Sequence, residues 1–131
     1  MEVKIDRPFH LKLNVIATDE HVPSMKADVS VRVQQFGYSL EYHGSLWFEC
    51  ACWDEFVSDL SRIDKTQAKL TDMDGGFVLS LGACSGKPEV SWEMKKIAMD
   101  GSVTTAVCRF LADPDTLAHV KRQFTEFPRW W

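Results

Sequence analysis

Trp53-Asp54-Glu55-Phe56-Val57-Ser58-Asp59-Leu60-Ser61-Arg62-Ile63 decides the reading of the chain. Trp53, Phe56, Val57 and Leu60 stand at i, i+3, i+4 and i+7, the spacing that gathers four apolar side chains on one face of an α-helix. Asp54, Glu55, Ser58, Asp59 and Arg62 are left for the opposite face. The spacing predicts a helix over about 53–63. Asp54 and Glu55 would then lie in its first turn, where the positive end of the helix dipole favours acids. The segments on both sides alternate with period two, as strands do. A helix laid on a sheet by its Trp/Phe/Leu face, with carboxylates toward solvent, follows.

Working outward, Leu11, Leu13 and Val15 alternate with polar neighbours and predict a strand over about 8–16. Val29, Val31 and Val33 predict a second strand with one wet face. Gly37 marks a turn, and a long third strand over about 38–51 runs into the helix. The pattern after Gly44 suggests a change of phase and hence a β-bulge there. Beyond the helix, Gln67–Asp72 reads as a short strand and Asp74-Gly75-Gly76 as a turn. Phe77, Leu79 and Leu81 make another strand, Gly82–Pro88 a loop, and Val90, Trp92 and Met94 the next strand. Asp100-Gly101 is a hairpin signal, with Val103–Leu111 after it. Asp113-Pro114-Asp115 supplies an N-cap, a proline at the first helical position and an acid in the first turn. Leu117, Val120, Phe124 and Phe127 form the stripe of a second helix, about 114–127, which Pro128 stops. Hairpins join most neighbours. The expected fold is therefore a single α+β domain over 1–131, with a mainly antiparallel sheet of about six to seven strands and two helices packed on one face. The halves share a plan of antiparallel strands followed by one helix.

With 131 residues, 45% of them hydrophobic and 26% charged, the chain can bury a core without staples. No apolar run reaches the roughly 20 residues that span a bilayer. The first residues lack the apolar centre of a signal peptide, so the expected location is cytoplasmic, with no membrane partner. The net charge is −4. All of it falls between Glu49 and Asp74, where seven acids face Arg62, Lys65 and Lys69. A nucleic-acid binder would show clustered charge of the opposite sign, so no nucleic-acid partner is expected.

Catalytic and metal patterns are thin. Cys50 and Cys52, two apart on the expected strand end, share a face, but no second cysteine pair completes a zinc knuckle. Gly82-Ala83-Cys84-Ser85-Gly86 has the spacing of a nucleophile elbow, yet Lys87-Pro88 denies it the helix that must follow. Gly86-Lys87 fails as a phosphate loop, because Leu81 stands at the first glycine position. Asp72-x-Asp74-Gly75 lacks the later ligands of a calcium loop. His10, His21, His43 and His119 have no partner spacing, and no carboxylates pair for acid–base work. The expectation is no enzyme, no cofactor and no metal. Pro128-Arg129-Trp130-Trp131 ends in two indoles. These either fold back on the core or serve as a partner-binding hot spot, where Trp and Arg are enriched.

The run Trp53-x-x-Phe56-x-x-x-Leu60, Ala68-x-Leu70, Gly76–Leu81, Val90-Ser91-Trp92 and Thr105–Phe110 leading to Asp115-x-Leu117 resembles the WapI-type bacterial immunity proteins and related small domains. The resemblance covers about residues 46–127. It implies a non-catalytic antitoxin that binds and blocks a protein toxin domain, and it carries no catalytic residue. Many such toxins are basic nucleases, which the acid-rich helix would suit through charge complementarity. Asp54, Glu55, Asp59 and Asp64 are the expected contacts, with Trp130 and Trp131 as a further candidate surface. An exposed strand edge could give a homodimer. The alternative is a small apolar-ligand-binding protein, its pocket lined by Trp47, Phe77, Trp92 and Phe110.

Overall fold

Period-two alternation sets the strands, and their pairing yields two sheets instead of the one expected. The computed structural model describes residues 1–84 and 86–131; the side chain of Cys84 and all of Ser85, at the centre of the elbow-like spacing, lie outside the described residues. The chain runs β1 (Glu2–Ile5), β2 (His10–Asp19), β3 (Ser24–Gln35), β4 (Tyr38–Glu49), α1 (Cys50–Leu60), then β5 (Ala68–Thr71), β6 (Phe77–Cys84), β7 (Lys87–Ile97), β8 (Val103–Leu111) and α2 (Pro114–Thr125). Each half forms a four-stranded antiparallel sheet in sequence order, β1-β2-β3-β4 and β5-β6-β7-β8. The fold is α+β with antiparallel sheets. The sheets are separate because, among the described residues, no strand of the first half pairs with a strand of the second. The edge of β4 receives one isolated bond among the described residues, from Met73 N–H of the β5–β6 turn to Trp47 O at 2.8 Å.

The helices do not share one face of one sheet. α1, from the first half, packs on β5 and on the end of β4; α2, from the second half, packs on β1; and the two helices touch. Each helix thus covers the first strand of the other half. The plan shared by the halves is four strands and a helix, with each helix closing over its counterpart's sheet. Phe48 of β4 meets Phe77 of β6 edge-on at 5.7 Å, and Tyr42 meets Trp92 at 6.0 Å, so the inner sheet faces pack on each other. One contiguous core runs through both halves.

Local details correct several expectations. β1 has no counterpart among the strands that the sequence predicts, although Val3 and Ile5, both buried, alternate with exposed Glu2 and Lys4. Four residues are too few to stand out without a partner strand. The β3–β4 register is unbroken from Ser24↔Glu49 to Gln35↔Tyr38, so there is no bulge at Gly44. The irregularity lies in β2, between Val15 and Ala17. Gly44 instead faces inward beneath Tyr42. A Cβ there would land on the Tyr42 hydroxyl and come within 2.9 Å of its Cζ. The loop expected over Gly82–Pro88 is shorter, since β6 extends to Cys84 and β7 starts at Lys87. The Asp74-Gly75 and Asp100-Gly101 turns form as expected, with both glycines at positive φ. Asp72 Oδ1 accepts from Phe77 N–H at 2.9 Å, which closes the first of these turns.

Candidate functional site

α1 begins at Cys50, three residues before the expected start. Glu49 takes an extended N-cap conformation without a side-chain cap, and Cys50 N–H donates to Pro23 O at 2.8 Å. A tertiary backbone bond replaces the polar cap that sequence reading looks for. Two corrections follow. Asp54 and Glu55 lie in the second turn, so the dipole argument for them lapses. Cys50 and Cys52 are two apart on a helix, not a strand, and diverge: Cys50 is buried, while Cys52 Sγ approaches Thr71 O at 3.5 Å. The apolar face is as expected, with Trp53, Phe56, Val57 and Leu60 all buried. Each such side chain contributes about 1.5–3 kcal/mol on burial.

The opposite side of α1 meets the C-terminus. Phe124, in the last turn of α2, and Phe127 just beyond it are both buried; their rings stand 5.4 and 4.9 Å from that of Trp53. This anchoring carries the last residues across α1. Arg129 Nη1 donates to Asp54 Oδ1 at 2.7 Å, and Trp131 Nε1 donates to Asp54 Oδ2 at 2.9 Å. Trp130 packs edge-on to Trp131 at 5.6 Å. Both indoles are half-buried, and the Trp130 N–H is buried without a hydrogen-bond partner. Two surfaces that the sequence presented separately, the acidic helix and the terminal indoles, are therefore one.

The four expected acids differ in their engagement. Asp54 is the pin just described. Asp59 pairs with Arg62 at 2.8 Å across one turn. Glu55 and Asp64 are exposed and form no ion pair among the described residues. The role of Arg129 as the second ligand of Asp54 had no sequence signal, because the two residues are 75 positions apart.

A second polar surface lies on the outer face of the β1–β4 sheet, a concavity of about 780 Å³. Lys4, His10, Lys12, Arg32, Glu41 and His43 line it, with Lys4 opposite Lys12 and His10 opposite Arg32 in register. Lys12 pairs with Glu2 at 3.5 Å. His119 is not on this face; from α2 it pairs with Asp6 at 3.0 Å and ties that helix to the end of β1. The side chains named for an apolar pocket separate. Trp47 points outward, Phe77 sits in the closed core, and Phe110 and Trp92 line two different inter-sheet clefts of about 400 and 160 Å³.

The proton affinities point away from nucleophilic chemistry at these groups. Burial, reinforced by the charge of Asp54, pushes the Cys50 thiol up. Burial alone does so for Cys108. Burial and then Asp72 raise the Tyr42 phenol. A raised thiol pKa lowers the thiolate fraction. Among the described residues, no three of His, Cys, Asp and Glu gather as metal ligands. No helix there is long and apolar enough to cross a membrane.

Comparison with protein-family models matches no family, and searches of curated proteins and of solved structures give no match.

Proposed function

We propose that the chain is a non-catalytic immunity-type protein that binds and neutralises a bacterial toxin domain, with the outer side of α1 and the C-terminal Arg129-Trp130-Trp131 as its binding face. The observation that carries this reading is the pinning of Arg129 and Trp131 onto the acidic helix by Asp54. It fixes a half-exposed aromatic pair on the helix that also carries Glu55 and Asp59, with Asp64 four residues beyond its end. An aromatic and Arg centre within a charged rim is the make-up of a protein-binding hot spot. Holding the indoles in place before binding reduces the ordering cost on association. The free carboxylates of Glu55 and Asp64 favour a basic partner and would speed its encounter at low salt.

The test is neutralisation. Co-expression with the C-terminal domain of a secreted toxin encoded beside this gene should restore growth. Truncation after Pro128 should abolish that rescue while the protein remains folded. Continued rescue by the truncated protein would move the interface elsewhere.

The apolar-ligand reading retains one supporting observation. The cleft of about 400 Å³ between Val33, Leu40, Cys108 and Phe110 is of a size for a small ligand.

A further inference from the structure

The four edges of the two sheets are not equally protected. β1 and β5 have four residues each. β4 is long but carries Glu41, His43 and Glu49 on its outer side, and the Met73 bond occupies it at Trp47. Charge and short length both discourage edge-to-edge pairing. β8 is longer than β1 and β5, and its outward charge, Arg109, is paired with Glu89 of its own sheet. It runs nine residues without a proline or register shift and, among the described residues, pairs with β7 alone. Its outward side chains are Val103, Thr105, Val107, Arg109 and Leu111, and the three aliphatic ones are more than half exposed (55%, 53% and 66%). Ile97, opposite Val103 on β7, extends the exposed apolar row.

The hydrogen-bonding phase of this edge can be read from its ends. Ala98 N–H donates to Ser102 O at 2.8 Å, and Ala112 N–H donates to Pro88 O at 3.0 Å. With an unbroken antiparallel register between them, Thr104, Ala106, Cys108 and Phe110 bond to β7. Val103, Thr105, Val107, Arg109 and Leu111 therefore turn their N–H and C=O groups to the free edge. Those five residues read aliphatic, polar, aliphatic, polar, aliphatic in either direction.

We infer that β8 is the seam of a homodimer, in which two copies of this strand pair antiparallel about a two-fold axis at Val107 and join the β5–β8 sheets into one continuous sheet. The palindrome singles out a second copy as the occupant. Val107 meets Val107, Val103 meets Leu111, and Thr105 meets Arg109, so every edge-facing group finds its counterpart, with about ten backbone bonds at full pairing. The seam places no bare like charges together, since Arg109 is matched by Glu89 of its own protomer at 2.9 Å. The β3–β4 hairpin tip stands beside the same strand: Tyr38, Val107 and Arg109 line one cleft. Next to Tyr38, Phe36 is 89% exposed at a φ of 51°. A bulky residue rarely adopts that conformation.

Sedimentation equilibrium of the full chain tests this. The wild type should show twice the 15.0 kDa chain mass. Val107→Lys should give the single-chain mass with near-UV circular dichroism unchanged. Val107→Pro should do the same, because it removes an N–H that faces the free edge, not β7. In a Cys108→Ser background, Val107→Cys should cross-link on mild oxidation. Its two copies would stand about 5.5 Å apart at Cα, within disulfide reach. Thr105→Cys should not cross-link, as its copies would be offset by about 13 Å along the strands. A wild type of single-chain mass at the highest concentration reached overturns the inference, and so does a dimer that Val107→Lys leaves intact and Val107→Cys does not cross-link. A single-chain protein whose β8 captures an extended foreign peptide would overturn it in favour of strand addition by a partner.

Discussion

Removing the Asp54 carboxylate should release the C-terminus from α1, and the size of the effect follows from the geometry. Asp54 and Arg129 are each 42% exposed at the side chain, so their ion pair contributes only about 0.2–1 kcal/mol. The Trp131 indole N–H donates to the other oxygen at 2.9 Å in a part-buried setting. A bond to a charged acceptor there contributes about 1 kcal/mol after allowance for exposure. Asp54→Ala should therefore cost about 1–2 kcal/mol, or several degrees in Tm for a chain of this length. Asp54→Asn keeps an acceptor for Trp131 and should cost less than Asp54→Ala. Trp131→Phe keeps an aromatic ring but removes the donor. A double-mutant cycle between Asp54→Ala and Trp131→Phe should give a coupling of about 1 kcal/mol. Urea denaturation followed by tryptophan fluorescence reads all four proteins. Additivity within about 0.3 kcal/mol, with Asp54→Ala as stable as the wild type, would refute the pinning and remove its support for the proposed binding face.

Other substitutions probe the frame that holds this face. Gly44→Ala should destabilise by about 1–3 kcal/mol, since its Cβ meets the Tyr42 hydroxyl, and Tyr42→Phe should recover part of the loss in chemical denaturation. Phe36→Asn should stabilise the fold by about 1 kcal/mol, because Asn tolerates the positive φ and the exposed ring loses little packing; a lower denaturation midpoint would count against this. The Thr116 N–H donating to Asp113 Oδ1 at 2.7 Å, with the Thr116 side chain, holds the Asp113 carboxyl below its ordinary range. That contribution is complete above the unfolded carboxylate value of about 3.9 and is lost as pH falls through the lower folded value. Acid titration of thermal stability should show the loss in the wild type, and Asp113→Asn should flatten that part of the curve.

Much of the fold was legible because the core obeys simple periods. The α1 stripe, the two Asp-Gly and Gly-Gly turns and the Asp113-Pro114 cap all rest on residues within a few positions of one another, which is the range that pattern reading resolves. The errors have non-local causes. The start of α1 was misplaced because its cap is the backbone of Pro23. The run Leu46-Trp47-Phe48 suggests a change of phase after Gly44, but the register holds: Trp47 simply points outward, and the Tyr42 side chain covers the inward-facing Gly44. The split into two sheets depends on which strands hydrogen-bond, and alternation is silent on pairing. At the candidate site, the acids and the indoles were visible as residue types. Their union through Asp54 and Arg129 was not, since it spans 75 positions.

The most direct test of the proposed binding face is calorimetric titration of this protein with the C-terminal domain of any secreted toxin encoded beside its gene, comparing the wild type with Glu55→Lys/Asp64→Lys. These two exposed carboxylates are the ones to reverse, because changing Asp54 would also release the C-terminus. The account predicts nanomolar binding by the wild type that weakens with salt and falls at least tenfold in the double variant. Equal affinity for the two proteins would contradict the acidic surface of α1 and its exit turn as the interface, and absence of binding by the wild type would contradict the antitoxin reading itself.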